Sequence, residues 1–147
     1  VPQVADIDGD GFGDPSVFRP ADGTWHFLRS SDSGYTAFPF GQAGDKPVMA
    51  DFNGDGLTDV GIFRATEDSS QPDFYTLTSS TFIFSGVSWG SPGDVPVVAD
   101  YDGDGRADFG VFRPSDGTWY LLRSTAGFAA VPFGSSGDRP LPAAYVR

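Results

Sequence analysis

At 147 residues the chain is long enough for one domain with a real core and too short for two comfortable ones. Its 20 acidic against 9 basic residues give a formal net charge of −11, which argues against nucleic acid as a partner. No run approaches the roughly 18 apolar residues of a membrane span, and the absence of cysteine excludes disulfides and thiolate metal sites.

The opening Val1-Pro2-Gln3 lacks the basic and apolar regions of a signal peptide, so export would require a signal already removed. Next comes Asp6-Ile7-Asp8-Gly9-Asp10-Gly11, the first of three matching segments. Asp51-Phe52-Asn53-Gly54-Asp55-Gly56 and Asp100-Tyr101-Asp102-Gly103-Asp104-Gly105 follow at intervals of 45 and 49 residues. A fixed period of this length marks a repeat architecture. Downstream of each segment stands a Phe-Arg step: Phe18-Arg19, Phe63-Arg64 and Phe112-Arg113. An aromatic pair comes after it: Trp25-His26, Phe74-Tyr75 and Trp119-Tyr120. Each unit closes with an aromatic-Gly step (Phe40-Gly41, Trp89-Gly90, Phe133-Gly134) and then Gly-Asp-x-Pro, at Asp45, Asp94 and Asp138.

The units therefore run 1–46, 47–95 and 96–139 within a single repeat domain. The extra length of the second lies in a surface loop over 67–72, where insertions are best tolerated. A partial fourth unit over 140–147 contributes one more strand, in which Ala144 stands where the first acid of a loop would be. In the third unit four strands are predicted, over 96–99, 109–113, 118–123 and 129–133, with the acidic loop joining the first two. Their runs are apolar on both faces, which predicts sheets covered on both sides. Helix signals are absent. Four-stranded sheets recurring every 44 to 49 residues predict an all-β chain of β-propeller blades: three four-stranded repeats plus one C-terminal strand.

The chemistry lies in the acidic segments, read as nine-residue loops. Oxygen side chains stand at positions 1, 3, 5 and 9: Asp6, Asp8, Asp10 and Asp14; Asp51, Asn53, Asp55 and Asp59; Asp100, Asp102, Asp104 and Asp108. Eleven of the 20 acids fall in these windows, and three divalent cations would bring the formal charge from −11 to −5. A hard cation takes six to eight oxygens, so a chain must fold around it with alternate side chains pointing inward. Glycine at position 6 permits the bend that turns the carbonyl of position 7 (Phe12, Leu57, Arg106) towards the ion, and the residue type there is then free to vary. An EF-hand is excluded, since position 12 is Val17, Ile62 or Val111 rather than Glu, and the flanks read as strands. Position 9 must close the shell instead. All-oxygen, carboxylate-rich shells favour Ca²⁺ over zinc or magnesium, at three sites.

These loops, with aromatic-Gly and Gly-Asp-x-Pro, resemble the FG-GAP/VCBS family of calcium-bearing repeats, which are similar to the blades of integrin α-subunit propellers. The resemblance covers essentially the whole chain, although the "GAP" element departs to Gly-Asp-x-Pro. It implies a β-propeller with the calcium loop between the first two strands of each blade. It also implies a secreted, extracellular role in adhesion or in binding carbohydrate or protein, without catalysis. Propellers have four to eight blades, so three repeats call either for self-association, a homodimer closing a six-bladed ring, or for a longer propeller of which this is a fragment.

Other residues read as structural. Arg19, Arg64 and Arg113 share one repeated environment, read as an ion pair with an Asp of the same or next blade. Trp25, Trp89 and Trp119 read as inter-blade core, and His26 as a surface strand residue. The competing functions are an enzyme using clustered Asp as general acid and base, as glycosidases do, and a structural spacer in a larger secreted protein. Against the enzyme, the acids repeat threefold and no unique nucleophile or His-centred constellation stands out.

Overall fold

The computed structural model describes residues 2–141, which form twelve β-strands and no helix. The first sheet holds β1 (Pro2–Ala5), β2 (Asp14–Arg19), β3 (Thr24–Leu28) and β4 (Tyr35–Pro39). The second holds β5 (Lys46–Ala50), β6 (Asp59–Phe63), β7 (Phe74–Leu77) and β8 (Phe84–Val87). The third holds β9 (Val95–Pro96), β10 (Phe109–Arg113), β11 (Thr118–Arg123) and β12 (Gly127–Pro132). Each sheet is antiparallel with its strands in chain order, as short connections between sequential strands dictate. The acidic loop joins the first two strands in all three.

Two strand boundaries differ from expectation. The first strand of the third unit was expected over 96–99, whereas regular pairing covers only Val95–Pro96. Its register nevertheless continues, because Val97 N–H donates to the Gly110 carbonyl at 2.8 Å and Ala99 bridges Asp108. The last strand begins earlier than expected, at Gly127. That glycine's φ of +69° closes a tight turn, and pairing runs up to Arg123 opposite Gly127. The expected strand over 140–147 falls mainly on 142–147, outside the described residues.

The three sheets stack face to face in chain order. Phe18, Trp25 and Phe27 of the first pack against Met49, Val60 and Ile62 of the second. Phe63 and Phe74 on the opposite face of the second pack against Ala107, Val111 and Phe109 of the third. Buried indole N–H groups need acceptors: Trp25 donates to the Phe40 carbonyl at 2.8 Å, and Trp89 reaches across to the Tyr120 carbonyl of the next sheet at 3.1 Å. Both take the expected inter-sheet place.

The expectation that every sheet is covered on both sides needs correction. Only the second is: β6 is buried at all five positions, while β2 alternates buried and exposed and β12 is almost wholly exposed. A stack of three has two outer faces, and apolar strand residues such as Val17 and Val131 lie open on them. No core cluster joins the first sheet to the third among the described residues.

Candidate metal centres

Local geometry in the three loops is nearly identical. Glycine at position 4 has φ of +79°, +81° and +80° at Gly9, Gly54 and Gly103, and glycine at position 6 has φ of +85°, +88° and +88° at Gly11, Gly56 and Gly105. Side chains are strained in that left-handed region, so two glycines per loop permit the chain to curl. The expected bend at position 6 is present in every copy.

Each acid has a distinct post. At position 1 the two oxygens of Asp6 accept the N–H groups of Gly9 and Gly11, at 2.7 and 3.1 Å, and Asp51 and Asp100 repeat the pattern with their own glycines. At position 5, Asp10, Asp55 and Asp104 accept the N–H of the position-7 residue, Phe12, Leu57 and Arg106. At position 9, Asp14, Asp59 and Asp108 are buried, and each accepts two backbone N–H groups. One comes from position 2 of its own loop and one from Ser30, Ser79 or Ser124 in the hairpin after the third strand of the sheet. Burial pushes the Asp59 carboxyl up from its ordinary value, against the pull of those two N–H groups, and the charges of Asp55 and Asp51 act in the same direction. A bound cation would reverse that balance.

Carboxylate oxygens of Asp6, Asp8 and Asp14 lie within 4.8 Å of one another, as do those of Asp100, Asp102 and Asp108. The second loop places Asn53 where the third acid would stand. Its Oδ1 accepts the Asp55 N–H at 2.8 Å and its Nδ2 donates to Asp55 Oδ2 at 2.9 Å. Asp10 and Asp104 lie outside the two trios, their second oxygens taken by the hydroxyls of Ser30 and Ser124 at 2.7 and 2.6 Å.

A metal ion fits the first and third loops, on one observation common to both and a second in the third alone. Three hard anionic oxygens converge in a space where, without a cation, like charges repel. Asp102 Oδ1 is in addition a buried oxygen with no hydrogen-bond partner, although its companion Oδ2 accepts from Thr125 and Ala126. An orphaned buried carboxylate oxygen is costly, and a coordinated ion would remove that cost. Those donors pull the Asp102 carboxyl below its usual value, which keeps it anionic.

The sequence reading missed the hydroxyl pairs of the hairpin between the third and fourth strands. Ser31 Oγ donates to Asp8 at 2.6 Å, and Ser80 and Thr125 approach Asp55 and Asp102 in their units. A signal was present, since Ser30-Ser31, Ser79-Ser80 and Ser124-Thr125 recur at one repeat position. Position 7 is also less free than expected. The Leu57 side chain lies over Gly9 and the Arg106 side chain over Gly54, so each loop covers its predecessor.

Two of the recurring arginines form an ion pair with an Asp, but the partner belongs to the preceding unit and not to the same or next one, because the Gly-Asp-x-Pro turn that ends one unit lies beside the following sheet. Arg64 grips Asp45 with two bonds of 2.6 Å, and Arg113 grips Asp94 at 2.9 and 2.8 Å. Each guanidinium also lies over the following tyrosine, Tyr75 at 5.2 Å and Tyr120 at 4.5 Å. His26, half-buried on β3, meets Tyr35 through Nδ1 at 2.7 Å.

No curated protein sequence matches the chain. Residues 51–111, which run from the second acidic loop through the third and into β10, match the family model for the FG-GAP-like repeat. That segment carries an FG-GAP-like repeat, and its loop, Phe-Arg step and aromatic pair recur in the other two units.

Proposed function

We propose that the chain is a secreted, calcium-binding β-propeller module that binds carbohydrate or an extracellular protein, performs no catalysis and self-associates to complete its ring. Convergence of carboxylates in loops of one geometry, with a buried oxygen of Asp102 unpartnered, carries the calcium reading. Three sites are proposed: Asp6, Asp8, Asp10 and Asp14 with the Phe12 carbonyl; Asp51, Asn53, Asp55 and Asp59 with that of Leu57; and Asp100, Asp102, Asp104 and Asp108 with that of Arg106. Against an acid–base role, the buried position-9 carboxylates are held by backbone N–H groups in triplicate. The match of 51–111 to a repeat typical of extracellular proteins supports secretion, and no described helix is long and apolar enough to cross a membrane.

Calorimetric titration with Ca²⁺ tests the metal reading directly. Saturation at three ions per chain is expected, falling to two in the Asp102→Ala variant; absence of heat in the wild-type chain at millimolar calcium would refute it. A glycan array and a pull-down in millimolar calcium test the ligand, and blank results in both would remove the binding role. Polysaccharide hydrolysis that vanishes in Asp102→Ala would instead establish an enzyme.

A further inference from the structure

Contacts that tie one sheet to the next occur twice within the chain, and the counterparts of their two halves stand at opposite ends with no further sheet of the described residues against them. The aromatic face comes first. Phe18, Trp25 and Phe27 are covered by the second sheet, and their counterparts Phe63 and Phe74 by the third. On the third sheet the same positions are Phe112, itself buried at 1% exposure, and the half-buried Trp119, and beside them lies a hollow of about 340 Å³, lined also by Phe133, Pro140 and Leu141. At the other end, Val17 and Leu28 are 47% and 45% exposed. They hold the repeat positions of Ile62 and Leu77, which pack against the sheet before them.

The loops repeat the pattern. Leu57 lies over Gly9 while Thr58 N–H donates to the Asp6 carbonyl at 2.7 Å; Arg106 lies over Gly54 while Ala107 N–H donates to the Asp51 carbonyl at 2.7 Å. Phe12, at the position of Leu57 and Arg106, is 72% exposed. Gly103, at the position of Gly9 and Gly54, has no atom within 4 Å of the point where a Cβ would stand.

The ion pair behaves likewise. Asp45 and Asp94 sit in turns that end one sheet, and they grip the arginine of the next. Asp138 closes the same turn, accepting the Ser135 N–H at 2.8 Å, and pairs with no arginine among the described residues. Arg19 reaches only the exposed Asp22 of its own hairpin, at 3.7 Å.

We propose that a second copy of the chain supplies the missing halves: its first sheet docks on the third, with Arg19 paired to Asp138, Phe12 seated on Gly103, and Val17 and Leu28 over Phe112 and Trp119. The charges are complementary, and the two internal junctions are the template. The same contact made twice between two copies closes a ring of six sheets, within the four to eight that such rings hold, whereas three copies would give nine. Pro140 is the repeat counterpart of Pro2, so 139–141 and the start of the docking copy's first strand compete for one position, and the junction forms with one of them displaced. This inference rests on the self-association proposed above and specifies its surface.

Sedimentation equilibrium in millimolar calcium tests it. The wild-type chain is expected at twice its mass of 15.6 kDa. Arg19→Glu and Asp138→Arg should each weaken the dimer by about tenfold or more, and the two together should restore it, because the exchanged charges attract again. Phe12→Ser, at a position too exposed to matter for folding, should weaken it as well. A dimer unmoved by all three single variants would overturn this junction and leave self-association standing. A wild-type monomer would remove both, and an open-ended series of larger species would remove the closed ring. Calcium titration of the variants reports the metal reading independently.

Discussion

Gly56 illustrates how a single residue sets a loop. Its φ is +88°, yet no atom lies within 4 Å of the point where a Cβ would stand, so the demand is on backbone conformation and not on space. Gly56→Ala should therefore cost about 1–2 kcal/mol in chelator, read from the urea midpoint, and should weaken calcium at the second loop alone in a titration. Asn53 sets a second contrast, since it replaces the acid that Asp8 and Asp102 supply in the sister loops. Asn53→Asp should tighten calcium at the second site by about tenfold, because affinity follows the number of charged ligands. In chelator the same variant should be less stable than the wild-type chain, since a further carboxylate joins the cluster without a cation.

Between elements, the ion pair beside the second sheet joins the turn 41–45 to the end of β6. Asp45 is almost wholly buried and depends on the Arg64 fork and the Gln42 N–H. Arg64→Ala leaves that carboxylate without its cation and should destabilise by about 2–3 kcal/mol, the range for a lost charged hydrogen bond. Arg64→Lys keeps the charge but not the paired geometry, and should recover less than half of the loss in thermal unfolding. Phe74 on β7 is fully buried, with Phe63 at 4.7 Å and Phe109 of the third sheet at 5.2 Å between ring centroids. Phe74→Ala should cost about 3–5 kcal/mol, as large-to-small core substitutions do. Val17→Ala on the open face of the first sheet should cost under about 1 kcal/mol in a monomeric background.

For the whole molecule, the proposed calcium sites would link metal to folding. A dissociation constant of about 10⁻⁴ M in about 10⁻³ M calcium gives roughly 1.4 kcal/mol per site, so three sites give roughly 4 kcal/mol. Chelator should accordingly lower the melting temperature by about 10 °C, and a melting temperature indifferent to chelator would contradict the linkage. Some of this was legible beforehand. The repeat, the four strands of each unit and the position of each acidic loop followed from spacing; that the arginines of the second and third units would be paired was also legible, but not that their aspartates come from the preceding unit. The role of Ser30 and Ser124 did not, because each lies 20 residues from the acid it binds and the strands between must pair before they meet.

By itself the sequence determined the local conformations: the glycine-dependent curl of each loop and the strand periodicity on either side of it. Those depend only on backbone sterics and on neighbours within a few residues, so three copies of one pattern fold into three copies of one loop. Which apolar faces are buried was decided only by the tertiary structure. The same residue types lie covered on β6 and open on β2 and β12, because burial depends on whether another sheet stands opposite and not on the strand's own composition. For the same reason Arg64 and Arg113 have their aspartates while Arg19 and Asp138 stand at opposite ends of the stack.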